Sequence, residues 1–159
     1  MTTTIKEKKH RLPRECYRGE ISAAFTLCLK ERLEGFIESQ IINQLTVILS
    51  SSVMKFNCIV PVYCFMPDHQ HFILTGLSDD ADLWEGVVEY KQKTGFWLTQ
   101  NKPEVVWQKD FYDHIIRTNE SLSVQVRYIL DNPVRKGLCS SWQEYPYKGA
   151  IGCNLEDML

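Results

Sequence analysis

The residues best suited to chemistry in this sequence are a histidine pair and a tyrosine. His69 and His71 open the run 69–76, HQHFILTG, directly after Met66-Pro67-Asp68. Those three residues read as a tight turn, and the run reads as the return strand of a hairpin. Strand side chains alternate, so both rings project from one face, with Cβ atoms roughly 6–7 Å apart. Two imidazoles at that spacing can converge on one cation at about 2.0–2.1 Å per bond. Asp68 stands beside the pair and could orient one ring as a hydrogen-bond acceptor. Gln70, Phe72 and Leu74 point to the opposite face. A bare His-x-His pair also occurs on ordinary half-exposed strands, but a place at a sheet rim just after a turn favours ligation. His10 and His114 read as solvated or structural.

The tyrosine lies in Arg127-Tyr128-Ile129-Leu130-Asp131-Asn132-Pro133. Tyr128 and Asn132 are four apart, hence neighbours on one helical face. With Leu122 at 0° and about 100° per residue, Val126, Ile129 and Leu130 fall near 40°, 340° and 80°. Tyr128 and Asn132 fall at about 240° and 280°, off that apolar stripe, and Asp131, a competing oxygen ligand, at about 180°. A phenol is a weak nucleophile until a base or metal activates it. The partial negative charge of a helix C-terminus makes a phenolate harder to form, and a nearby divalent cation would offset that. The plain alternative is a surface tyrosine with no function.

These groups need elements to hold them. Residues 20–29 read as a buried strand, 36–50 as an amphipathic helix and 54–65 as a strand with a bulge or edge position at Pro61. Residues 80–100 read as a long helix and 105–117 as a further strand. Asn119 or Ser121 caps a helix that runs to about residue 131, where Pro133 ends it. Residues 138–159 read as an irregular tail. The order strand, helix, strand, strand, helix, strand, helix predicts an α+β fold, a ferredoxin-like β-α-β-β-α-β-α with an antiparallel sheet packed on helices.

Composition narrows the setting. The chain has 159 residues, enough to bury one core without staples. A hydrophobic fraction of 44% and a charged fraction of 24% exclude a disordered chain. No apolar run is long enough for a membrane helix, and no signal peptide is evident at the N-terminus. The six cysteines form no CxxC pair, which argues against a zinc ribbon and for a reducing, cytoplasmic setting with most thiols as small buried hydrophobes. The net charge of −2 is weakly against nucleic-acid binding, but the charge is uneven. Lys6, Lys8, Lys9, Arg11, Arg14 and Arg18 crowd the N-terminus, and Asp79, Asp80, Asp82, Glu85 and Glu89 the middle. Each cluster alone reads as a solvated face.

The run Tyr63-Cys64-Phe65-Met66-Pro67-Asp68-His69-Gln70-His71-Phe72-Ile73-Leu74 resembles the HUH motif of single-tyrosine insertion-sequence transposases. Trp107-Gln108-Lys109-Asp110-Phe111-Tyr112-Asp113-His114-Ile115-Ile116-Arg117 resembles a second block of that family, and 128–138 (YILDNPVRKGL) its tyrosine block. The branch it is most similar to is that of the REP-associated tyrosine transposases, over roughly residues 20–147. The resemblance implies a basic N-terminal arm over 1–18, a transposase domain over 19–148 and a tail over 149–159. It implies His69 and His71 as ligands of Mg2+ or Mn2+, Tyr128 as the nucleophile, and Asn132 where such proteins carry a polar third ligand. It further implies single-stranded or hairpin DNA as substrate, a 5′-phosphotyrosine intermediate and a homodimer, in which the tyrosine helix in some members serves the other copy's histidines. Gln70 departs from the usual apolar residue between the histidines. Facing away from them, it bears on packing rather than chemistry.

On that reading Arg117, Arg127, Arg135 and Lys136 hold phosphates, and Trp107, Tyr112, Trp142 or Tyr147 could stack on bases, although core packing suits most of these aromatics. The stored phosphotyrosine bond makes a nucleotide cofactor unnecessary, and no phosphate-cradling GxxxxGK loop is present. Three rivals stay open: a domesticated, non-catalytic nucleic-acid-binding protein on the same fold, a hydrolase that activates water at the histidines, and a structural metal site.

Overall fold

The computed structural model describes residues 12–117 and 120–159. Five strands form one antiparallel sheet: β1 (Ser22–Cys28), β2 (Cys58–Met66), β3 (His69–Gly76), β4 (Tyr112–Ile116) and β5 (Lys148–Ile151), in the order β4-β1-β3-β2-β5. Helices α1 (Ser39–Lys55) and α2 (Leu83–Asn101) cover one face, and α3 (Leu122–Leu130) with the short α4 (Asn132–Arg135) belongs to the other. The first four strands and two helices are the expected ferredoxin-like arrangement.

Alternation decides which side chains meet which layer. Phe25, Leu27, Phe65, Phe72 and Leu74 join Leu45, Leu49, Val87 and Tyr90 in the larger core beneath α1 and α2. Val62, Cys64, Met66 and Ile73, on the reverse face, meet Val126, Ile129 and Leu130 of α3. The histidines of β3 share the parity of Ile73, so they lie on the α3 side.

Several boundaries differ from the sequence reading. Helix α1 starts at Ser39: Glu38 before it is extended, and Phe36 packs edge-on against Phe65. It continues to Lys55, and Asn57 at φ 61° turns the chain, so residues 54–57 are not strand. Pro61 lies within a register irregularity of β2, as a bulge requires. The strand expected over 105–117 shrinks to Tyr112–Ile116. Trp107 is drawn into the core, its Nε1–H donating to Thr94 Oγ1 at 2.8 Å, and Lys91 Nζ takes the carbonyls of Gln108 and Lys109 at 2.8 and 2.9 Å. Ladder partners are therefore not what satisfies those carbonyls.

Ser121 caps α3 by accepting from the Val124 N–H, while Asn119 lies outside the described residues. Helix α3 stops at Leu130, but Pro133 does not end helical structure. It sits in the first turn of α4, where a missing N–H costs nothing. The C-terminal segment is not simply irregular either. Strand β5 pairs with β2, and the Tyr63 ring packs over Gly149, where an added Cβ would lie 2.7 Å from the Tyr63 hydroxyl oxygen and push it aside. Of the N-terminal arm, residues 1–11 lie outside the described residues. Residues 14–17 form a 3-10 turn that buries Tyr17, so this part is not a loose arm. The two charge clusters are not independent solvated faces: Arg18 pairs with Asp82 at 3.3 Å and Arg14 with Glu85 at 3.9 Å. Of the cysteines, Cys28, Cys58 and Cys64 are buried, Cys139 and Cys153 partly so, and Cys16 is exposed.

Candidate active site on the α3 face of the sheet

The β2–β3 turn puts His69 and His71 at the end of the central strand pair. Their rings stand nearly perpendicular, at 88°, with Nε2 atoms 3.1 Å apart. Each Nδ1 has its own partner: His69 Nδ1 donates to Asp68 Oδ1 at 2.6 Å, and His71 Nδ1 lies 2.9 Å from Thr26 Oγ1 on β1. Register explains the second contact, because Thr26 is the cross-strand partner of His71. Asp68 is held in turn by Arg32, whose Nε donates to Oδ2 at 2.8 Å. Arg32 Nη2 stands 3.5 Å from His69 Nδ1, too far to compete with the carboxylate.

Burial drives His71 down to about 3, helped by the nearby charges of Arg135 and Arg32. Burial also lowers His69, against the pull of Asp68. Both rings are therefore neutral at neutral pH, as metal ligands must be. Burial alone would raise Asp68, but hydrogen bonds from Arg32 and His69 outweigh it and hold the carboxylate below its usual range. Arg135 and Lys136 of the α4 segment lie close enough for their charges to act on the pair.

Gln70 lies on the reverse face, as expected, where its Oε1 accepts from the buried Tyr90 hydroxyl at 2.5 Å. Its Nε2 is buried without a hydrogen-bond partner among the described residues. His114 is exposed and bonds Glu120 at 2.9 Å.

The tyrosine helix is placed as its wheel predicts: Val126, Ile129 and Leu130 are buried and Tyr128 is 62% exposed. Asn132 does not share the exposure of Tyr128. It is only 9% exposed, because the chain breaks at Asp131 and starts α4 instead of continuing one helical face. Tyr128 makes no hydrogen bond or ring contact with either histidine among the described residues. The Arg135 guanidinium lies 4.0 Å over its ring and donates from Nη2 to the Tyr128 carbonyl at 2.9 Å. No group of three or more His, Cys, Asp and Glu side chains is placed to hold a metal among the described residues. Arg127 and Asp131 instead line a cleft of about 290 Å³ with Trp142, Gln143 and Leu159. Trp107 is core, whereas Tyr112 is half-buried, on the strand paired with Thr26.

Sequence reasoning missed Arg32 and Thr26. Alternation could have placed Thr26 on a strand face, but only register brings it to His71. Arg32 reaches the site from a loop with no pattern of its own.

The model of the family described as "Transposase IS200 like" matches residues 18–132. The chain belongs to this family. Its match spans the histidine hairpin, Arg32 and Tyr128 and ends on Asn132, whereas Arg135 and Lys136 lie just beyond it. The chain is 27% identical over 130 residues to a REP-associated tyrosine transposase of Escherichia coli K12, covering 77% of this chain and 72% of that protein. It is 24% identical over 136 residues to a Haemophilus influenzae protein provisionally named a REP-associated tyrosine transposase, covering 77% and 76%. Among solved structures, a REP-associated tyrosine transposase bound to a REP hairpin superposes with a TM-score of 0.73 at 21% identity, over 89% of this chain and 82% of that one. That likeness bears on the fold. No helix among the described residues is long and apolar enough to cross a membrane.

Proposed function

We propose that this transposase cuts and rejoins single-stranded DNA, folded as a hairpin, through a covalent bond to Tyr128. The observation that carries the reading is the pair of facing His69 and His71 Nε2 atoms, 3.1 Å apart, with Arg32, Arg135 and Lys136 around them. Two nitrogens bound side by side on an octahedral ion at about 2.1 Å would lie about 3.0 Å apart, so the pair fits Mg2+ or Mn2+. His69 and His71 would hold the ion, with Asn132 as the third protein ligand and Asp68 orienting His69. When bound, the ion supplies a positive charge that stabilises the phosphate in the transition state.

The steps then belong to the chain. Arg135 and Lys136, together with Arg117 and Arg127, draw the phosphodiester to the site. The Tyr128 oxygen attacks phosphorus and forms the P–O bond as it gives up its proton to water. The P–O3′ bond breaks, and the departing oxygen takes a proton to become a free 3′-hydroxyl. The 5′-phosphate stays on Tyr128. Attack by a 3′-hydroxyl reverses the step and reseals DNA. The exposed Tyr128 reaches the histidines of its own chain by moving, or those of a second copy in a homodimer.

The test is a labelled hairpin with a single-stranded flank, incubated with Mn2+. Wild type should give a covalent protein–DNA adduct and Tyr128→Phe none. Binding without an adduct from wild type would support a domesticated, non-catalytic binder instead. Cleavage that survives Tyr128→Phe would support a hydrolase.

A further inference from the structure

With no cation bound, the contacts at the histidine pair form one consistent chain of donors and acceptors. Asp68 Oδ1 can only accept, so His69 carries its proton on Nδ1 and presents a lone pair at Nε2. His71 Nε2 faces that lone pair at 3.1 Å, a hydrogen bond when His71 carries its proton there and no cation is bound. His71 Nδ1 is then an acceptor, and the Thr26 hydroxyl donates to it. At the other end Arg32 Nε donates to the second Asp68 oxygen. The chain reads Thr26 to His71 to His69 to Asp68, closed by Arg32.

The backbone is built to hold that closing residue. Glu31 and Arg32 have φ of 57° and 55°, in the left-handed region that side-chain-bearing residues rarely adopt. Two bonds staple their loop to the hairpin turn: Leu29 N–H to the Asp68 carbonyl and Phe36 N–H to the Pro67 carbonyl, both 2.9 Å. The strained pair throws the Arg32 side chain back over the turn, onto Asp68.

We propose that the two histidines are positioned unequally. An Arg32–Asp68 clamp locks His69 in its ligating tautomer, while the Thr26 hydroxyl lets His71 switch tautomers on loading. Arg32 and Thr26 are thus positioning residues. The inference rests on the metal-binding reading of the pair. A cation needs a lone pair on both Nε2 atoms. His69 already offers one. His71 must lose its Nε2 proton to solvent and gain one at Nδ1, with no net change in protons. The Thr26 hydroxyl turns about one bond from donor to acceptor to receive it. A hydroxyl can serve both states, and a carboxylate or an ammonium could serve only one.

Long-range 1H–15N spectra of the metal-free full chain at pH 8 read both tautomers without any metal. Wild type should show the proton on Nδ1 of His69 and Nε2 of His71. Arg32→Gln should shift His69 towards a mixture. Thr26→Val, isosteric and at ease in a strand, should weaken Mn2+ binding about tenfold, and Thr26→Ser should restore it. Unchanged His69 signals in Arg32→Gln, alongside a shift in Asp68→Asn, overturn the clamp. Thr26→Val binding Mn2+ as wild type overturns the switch. A wild-type chain with the expected tautomers but no Mn2+ affinity defeats the metal reading and the switch, and leaves the clamp supported.

Discussion

The histidine hairpin and the tyrosine helix share one face of the sheet, yet they are built in opposite ways. His69 is buried and His71 half-buried on a central strand, each with its Nδ1 already bonded, to Asp68 in one case and Thr26 in the other. Tyr128 stands 62% exposed on a nine-residue helix, and the hydrogen bond and ring contact that hold it come from Arg135. Ligands gain from rigidity, because a misplaced nitrogen loses the ion. A nucleophile that forms a covalent bond to DNA and later gives it up must be reachable by long, bent strands. The sheet fixes the first group and the surface helix leaves the second accessible.

This contrast can be broken at either end. Tyr128→Phe should abolish the covalent adduct, about a 10³-fold loss or more, and leave the melting temperature unchanged because the hydroxyl is at the surface. A large fall in melting temperature would mean that the helix is less independent than its exposure implies. His71→Ala should cost Mn2+ affinity at least about a hundredfold and also stability, since it opens a cavity beside Thr26; titration calorimetry and thermal melts report the two effects separately. Mixing Tyr128→Phe with His71→Ala chains sharpens the comparison. If the phenol serves a second copy, about a quarter of the wild-type activity should return from randomly mixed dimers. If it serves its own chain, none should. Arg135→Ala should have the smallest effect, a change in adduct formation of about tenfold, the scale of one cation–π contact and one hydrogen bond.

Much of the frame was readable in the sequence because its periods are strong. The alternation through 69–76 places both histidines on one face and Gln70 on the other, and Ser121, one of two candidate caps, starts α3. Chemistry carried by a period survived as well: Tyr128 is off the apolar stripe, as the wheel requires. What failed depends on contacts between distant segments. Spacing alone puts Asn132 on the face of Tyr128, but Pro133 is compatible with a fresh first turn, and Asn132 is buried at the start of α4. The 105–111 segment has the residues of a strand, yet Lys91 and Thr94 of α2 take its polar groups. Arg32 could not have been found, because its reach depends on two residues in an unfavourable backbone region. The basic and acidic clusters were each visible, but their pairing was not.

The last strand carries a consequence for how the chain survives its own synthesis. Strand β2 lies beside β3, and β5 covers its outer edge, with Phe65 N–H bonded to the Tyr147 carbonyl at 2.8 Å. Until residues 148–151 emerge, a long apolar strand presents unpaired backbone groups to any neighbouring chain, the kind of edge that recruits aggregates. A molecule cut short before Lys148 should keep its histidine hairpin and lose its solubility.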